Sequence, residues 1–262
     1  MAFLLGKLPA KIDKRTIKFS SILNAANLPP LPPEFDIDAK LGVTDTRMYL
    51  NDTYGDCVEA GSCHMINRFE MFECGAIPNI PDVDVKTQYF KETGGGDDGL
   101  VLLDHLTLWR KEGLAFGGQT YTIDAFSSID WKNHKEFAYA VYLLDGVYLG
   151  MMVPAFFMSG FEAGKRFFDD SCKNAKIEGG HCIYSMAFNK LPSKVKVVSL
   201  NDVGPIIETW GARVQLTWKF CDHRFDEAYA VMDSMDKWVN PAADPLNIPL
   251  LKQYLATIQN GC

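Results

Sequence analysis

The stretch that most restricts how this chain can fold is Asn51-Asp52-Thr53-Tyr54-Gly55-Asp56-Cys57-Val58-Glu59-Ala60. Here a run of turn formers gives way to a cysteine and then to a helical pattern. Apolar residues then recur at about three- and four-residue spacing (Ala60, Cys63, Met65, Ile66, Phe69 and Phe72), up to Gly75. The spacing predicts a helix over 57–74, with Asp56 as N-cap and Gly75 as the stop. Cys57 then lies in the first helical turn, where the positive end of the helix dipole lowers a thiol pKa and favours the thiolate. A cysteine so placed is a candidate nucleophile.

At 262 residues the chain can form one large domain or two lobes sharing a cleft. Its net charge of −7 and the lack of any dense Lys/Arg run give no footprint for nucleic acid. The first apolar run, Met1 to Leu8, is too short for a signal peptide or a membrane span, and Lys11, Lys14, Arg15 and Lys18 follow at once. The seven cysteines are odd in number, and a chain of this size has no need of a disulfide framework, so they read as mostly reduced. A cytoplasmic or virion location follows as the expectation.

Along the chain, residues 1–30 read as an N-terminal extension ending in the proline-rich Leu28–Pro33. It is too short for a large folding or inhibitory pro-segment. A helical lobe with the nucleophile is expected over 31–125, with further helices near Val83–Lys91 and Leu100–Lys111. The run Gly94-Gly95-Gly96-Asp97-Asp98-Gly99 lacks both a Walker lysine and the spacing of a calcium loop, and reads as a loop lining a cleft. A β lobe is expected over 126–220, with a helix at Glu136–Leu144 capped by Asn133. Its strands are Val147–Val153, His181–Phe188, Lys194–Leu200, Ile206–Trp210 and Val214–Phe220. Residues 221–262 read as a C-terminal extension with an amphipathic stretch at Leu246–Ile258.

A cysteine nucleophile needs a base, an orienter for that base, and donors for the oxyanion. Among five histidines His181 is the strongest candidate base: it follows Gly179-Gly180, which lets backbone approach, and opens an apolar strand that would hold the ring. His64 is two helical turns from Cys57, about 10 Å along the axis, too far to take its proton. His105, His134 and His223 read as surface or packing residues. Cys57, Cys63 and His64 do not match the close cysteine pair of structural zinc sites, and no metal or organic cofactor is implied. Cys63, Cys74 and Cys182 read as buried free cysteines.

Taken together these segments resemble the papain-like cysteine peptidase family, as a divergent member of bacterial or phage type. Asn51 stands six residues before Cys57 and Gly55 two before it, as glutamine and glycine do in the family loop that leads into the central helix. Leu31–Asp36 resembles the start of the mature family domain, and Gly94–Gly99 the glycine-containing loop along the substrate cleft. Gly180-His181 resembles the histidine motif, and Glu208-Thr209-Trp210-Gly211 resembles Asn-Ser-Trp-Gly. The resemblance covers about 31–220 and implies an α+β fold: a helical lobe plus an antiparallel β-barrel-like lobe, with a cleft between them.

It further implies a cysteine peptidase or amidase with a Cys57–His181 thiolate–imidazolium pair. Glu208 would orient His181, with Asn201 or Asp202 as rivals, and Asn51 would be the oxyanion donor. The partner implied is a peptide or protein substrate. Asparagine for glutamine, Val58 for tryptophan and Glu208 for asparagine depart from the family pattern. Two other functions stay open: acyl transfer by the same pair, and a catalytically silent papain-like module for binding a partner or for virion assembly.

Overall fold

The computed structural model describes residues 3–43, 46–170, 174–190, 203–234 and 244–259. After a short α1 (Phe19–Ile22), β1 (Phe35–Asp36) and α2 (Ile37–Leu41), the chain enters α3 (Cys57–Cys74). Every residue of α3 from Cys57 to Phe69 is buried. The helix is therefore enclosed all round rather than one-sided, as a central helix must be. Gly75 ends it in the left-handed conformation, φ 71°, with its N–H returned to the Met71 carbonyl. Phe72, expected on the apolar face, is 50% exposed. Asp56 stands at the N-cap position, but its carboxylate makes no capping bond.

Two further helices, α4 (Asp82–Thr93) and α5 (Leu102–Glu112), stop at Gly94 and Gly113. Val85, Tyr89, Leu106 and Trp109 from this pair share a core with Val58, Met65 and Ile66 of α3. A small hairpin, β2 (Leu114–Phe116) and β3 (Gln119–Tyr121), closes the helical lobe. Beyond it come β4 (Ala125–Ser128), α6 (His134–Leu144), β5 (Val147–Pro154), α7 (Ala155–Glu162), β6 (Phe167–Phe168) and β7 (Ile177–Lys190). The last elements are β8 (Val203–Thr209), β9 (Ala212–Leu216), α8 (Trp218–Arg224), β10 (Phe225–Met232) and α9 (Ile248–Gln259).

The strands form one sheet in the order β4-β10-β5-β7-β8-β9-β6, with β1 added on β7. Only the β6–β9 pairing in it is parallel, among the described residues. One face of the sheet packs on α3 through Tyr148, Cys182, Tyr184 and Met186. The other packs on α6, α7, α8 and α9 through Leu149, Met151, Ile183 and Ile207. The two sets alternate along β5 and β7, as a pleated strand requires. The α+β expectation, with a helical lobe against an antiparallel sheet, is the architecture observed.

Two local expectations give way. The strand expected over Val214–Phe220 stops at Leu216, because the Thr217 side chain accepts the Phe220 N–H at 3.1 Å and starts α8. The division expected at 220 is not a boundary either: β10 lies inside the sheet, between β4 and β5. The strand expected over Lys194–Leu200 lies outside the described residues, as do Asn201 and Asp202. No described helix is long and apolar enough to cross a membrane.

Candidate active site

Cys57 opens α3 and is 1% exposed. Its sulfur accepts the amide of Cys182 on β7 at 3.3 Å and also faces the amide of Gly6. The nucleophile candidate therefore touches the residue next to His181. The imidazole of His181, itself 1% exposed, contacts the Thr209 hydroxyl through Nε2 at 2.6 Å and stacks on Trp210 at 4.2 Å between ring centroids. Its Nδ1 has no hydrogen-bond partner. Trp210 and Gly211 both have positive φ, 44° and 70°, in the two-residue turn between β8 and β9. That is the geometry of a tight hairpin, and it lays the indole over the histidine.

Glu208, expected to orient His181, faces the central helix instead. Its carboxylate accepts Arg68 Nη2 at 2.6 Å and lies 3.4 Å from His64 Nδ1, on the α3 side of the sheet. Neighbouring residues of a strand point to opposite faces, so β8 gives Glu208 to the helix and Thr209 to the histidine. Within Glu208–Gly211 the residue that meets the ring is Thr209, one position after Glu208. Arg68 also makes two bonds to Asp38 at 2.9 Å, which closes a buried ionic cluster between α2, α3 and β8.

Asn51 is buried in the loop before α3, where its side-chain amide donates to the Tyr54 carbonyl at 3.1 Å and faces the Asp56 carboxyl. Asp97, from the glycine-rich run, accepts the Gly55 amide at 2.9 Å and the Tyr89 hydroxyl at 2.6 Å. The run thus braces the nucleophile loop. Cys57, Cys63 and His64 do not assemble into a ligand set. The described grouping closest to one is Glu59, Glu92 and His105, whose ligand atoms lie within 4.8 Å of one another below Cys57. His105 Nδ1 is 3.0 Å from Glu92, and burial pushes the Glu59 carboxyl well above the usual range. No local spacing in the sequence signals this grouping.

The cleft is filled by the chain's own beginning. The Leu4 amide donates to the Asn51 carbonyl at 3.3 Å, and the Lys7 amide to the Gly180 carbonyl at 3.1 Å. Gly6 accepts from the Leu100 amide, and the Leu8 amide donates to the Leu100 carbonyl, both at 2.9 Å. The Trp210 indole donates to the Leu4 carbonyl at 3.2 Å, and Phe3 packs on Trp210 and Phe161. Gly6 passes so close to the nucleophile loop that a Cβ there would lie 1.6 Å from the Gly55 carbonyl oxygen. Part of the segment expected as an N-terminal extension thus runs between the two lobes, directly over Cys57.

That enclosure sets the electrostatics. Burial pushes the Cys57 thiol up to about 11 and the His181 ring down to about 3. In this state the two groups are neutral, against the expectation of a thiolate raised by the helix dipole alone. Asp56, next to Cys57 in sequence, is driven by burial up to about 8.

Among solved structures, xylellain, a cysteine protease from Xylella fastidiosa, superposes with a TM-score of 0.67 at 14% identity, covering 88% of this chain and 96% of its own. This is the papain-like fold. The Amb a 11 cysteine protease of ragweed pollen, in its proform, matches with a TM-score of 0.61 at 15% identity over 84% of this chain and 71% of its own. Bromelain from Ananas comosus, in complex with E64, matches at 0.55 and 12% identity over 78% of this chain and 100% of its own. No protein-family model and no curated protein matches the sequence.

Proposed function

We propose that the chain is a cysteine peptidase or amidase of papain-like type, held closed by residues 3–8. The observation that carries this reading is the junction of α3 and β7. A cysteine at a helix N-terminus lies against the residue next to a histidine whose Nδ1 is unbonded and whose Nε2 is held by Thr209 under Trp210. With Nε2–H donated to the hydroxyl, Nδ1 keeps its lone pair and serves as base.

Once the segment has withdrawn, the Cys57 S–H proton passes to His181 Nδ1, and the thiolate attacks the substrate carbonyl carbon. The Cys57 backbone N–H and the Asn51 amide stabilise the oxyanion. Collapse expels the amine, which takes its proton from His181, and water then hydrolyses the thioester with His181 again as base. Thr209 is the positioning residue, in place of an asparagine or a carboxylate. Two of the similar structures, the ragweed enzyme and a trypanosomal procathepsin B, are described as proforms, which suits a closed cleft here.

A second reading is favoured by the neutral forms of Cys57 and His181: a catalytically silent module. The pH dependence of Cys57 alkylation by iodoacetamide, read by peptide mass spectrometry, separates the two. In a chain opened by Gly6→Val, whose side chain cannot fit against Gly55, a peptidase labels at Cys57 faster than at Cys63 or Cys221 at pH values well below the free thiol pKa of about 8.5, and adding His181→Ala slows it. Labelling no faster than at those buried thiols, and indifferent to His181, would leave the silent module.

A further inference from the structure

Lys7 is a cation in a place where the fold has built a receptor for one. Its side chain is fully enclosed, and Nζ lies 2.9 Å from Asp226 Oδ2, 2.9 Å from Glu227 Oε1 and 3.0 Å from the Leu8 carbonyl. Both acids come from the start of β10, and Tyr229 holds the other Glu227 oxygen at 3.1 Å. The wall is Gly150 of β5. A Cβ there would lie 2.2 Å from Lys7 Cε and 2.6 Å from Glu227 Cγ, so the absence of a side chain at 150 is what leaves room for the lysine stem.

The register sets Gly150 opposite Glu227 on one side and beside Cys182 on the other. The pocket therefore adjoins the nucleophile, and the backbone that fills it is held by Gly180 and Leu100, the two rims of the cleft.

We infer that this pocket is the specificity subsite of the cleft and selects peptides carrying a lysine or arginine side chain. Its charge belongs to β10 and not to the N-terminal segment. When residues 3–8 withdraw, two carboxylates are left facing each other in a narrow, largely buried slot. A neutral side chain entering there strands both of them, whereas a basic one restores the pairing that Lys7 supplies in the closed state. Lys7 is thus both the lock on the cleft and a template for its ligand. The inference rests on the cleft being the substrate cleft proposed above.

The test separates the two. Full-length protein carrying Gly6→Val, whose side chain cannot fit against Gly55, is combined with Cys57→Ala so that binding is read without turnover. Lys7→Ala with Cys57→Ala is run beside it, removing the side chain that fills the pocket and the ion pairs that hold residues 3–8 in the cleft. Fluorescence anisotropy compares labelled acetyl-Leu-Gly-Lys-Leu-amide with the peptide in which norleucine replaces lysine. The expected result is lysine-peptide binding at least about tenfold tighter, with the difference erased by Asp226→Asn plus Glu227→Gln.

Equal binding of the two peptides, a preference untouched by the carboxamide pair, or no binding to either open form would overturn the inference. A lysine preference that survives while Cys57 of the Gly6→Val chain proves inert to alkylation would sink the peptidase reading and leave the pocket standing. The converse result would remove the pocket alone.

Discussion

Two buried polar groups lie along α3, about three turns apart, and they are built on different terms. At Arg68 the guanidinium meets Asp38 through two bonds and Glu208 through a third, and Arg213 adds a further contact to Asp38 at 3.4 Å. At the first turn, the Asp56 and Glu59 carboxyls and His105 Nε2 find no hydrogen-bond partner of good geometry. The first group ties both lobes together and holds its charges. The second has no cation of comparable strength, so its acids are pushed toward the protonated form beneath Cys57. A satisfied buried cluster serves the fold, and an unsatisfied one beside a thiol sets the conditions for its ionisation.

The largest effect expected from this contrast is at Arg68. Arg68→Ala removes the guanidinium that Glu208 and Asp38 share, leaving Asp38 with only the longer Arg213 contact, and should cost about 3–5 kcal/mol in urea unfolding. A loss no larger than that of an ordinary surface change would show that the cluster does not join the lobes.

Asp56 gives the next effect, and its sign follows from the proton balance. Burial raises its folded pKa to about 8 from the ordinary value of 3.8. Between those values the native state binds the proton that the unfolded chain has released, so its contribution to stability falls as pH rises through that window. Asp56→Asn should therefore shrink the drop in melting temperature between pH 5 and pH 8, and an unchanged drop would mean that Asp56 ionises freely. His181 works in the opposite direction: with its folded pKa lowered to about 3, it contributes stability that is lost as pH falls below its unfolded value.

The smallest effect is at Thr209. Thr209→Val removes one neutral hydrogen bond, worth about 1 kcal/mol in stability. The sharper readout is the pH profile of Cys57 alkylation, which should broaden and shift as the ring loses its anchor, while Thr209→Ser keeps it. A profile identical to wild type would make the hydroxyl a bystander.

What the sequence made legible was what local signals encode. The α3 boundaries followed from Gly75 and the apolar spacing, and His181 from the glycines before an apolar strand. The Glu208–Gly211 motif resembles Asn-Ser-Trp-Gly and so points to Glu208, yet the strand turns Glu208 to Arg68 and Thr209 to His181, because a motif does not say which face each residue takes. Val214–Phe220 looked like one alternating strand because a Thr217 cap leaves the two-residue pattern of Trp218 and Phe220 intact. The pocket for Lys7 was invisible for a different reason: Lys7 and Asp226 are 219 positions apart, and only the closed sheet brings them together.

The segment over Cys57 belongs to the same molecule, joined to the β lobe again where Lys18 bridges to Ser128. With only residues 9–17 as a leash between these two anchor points, the occupant is presented to the cleft at an effective concentration on the order of millimolar. Closure is then insensitive to dilution, and a bimolecular ligand must out-compete a local reservoir that never diffuses away. Cutting anywhere in that leash changes no contact in the cleft, yet it turns a permanent resident into a separate peptide free to leave.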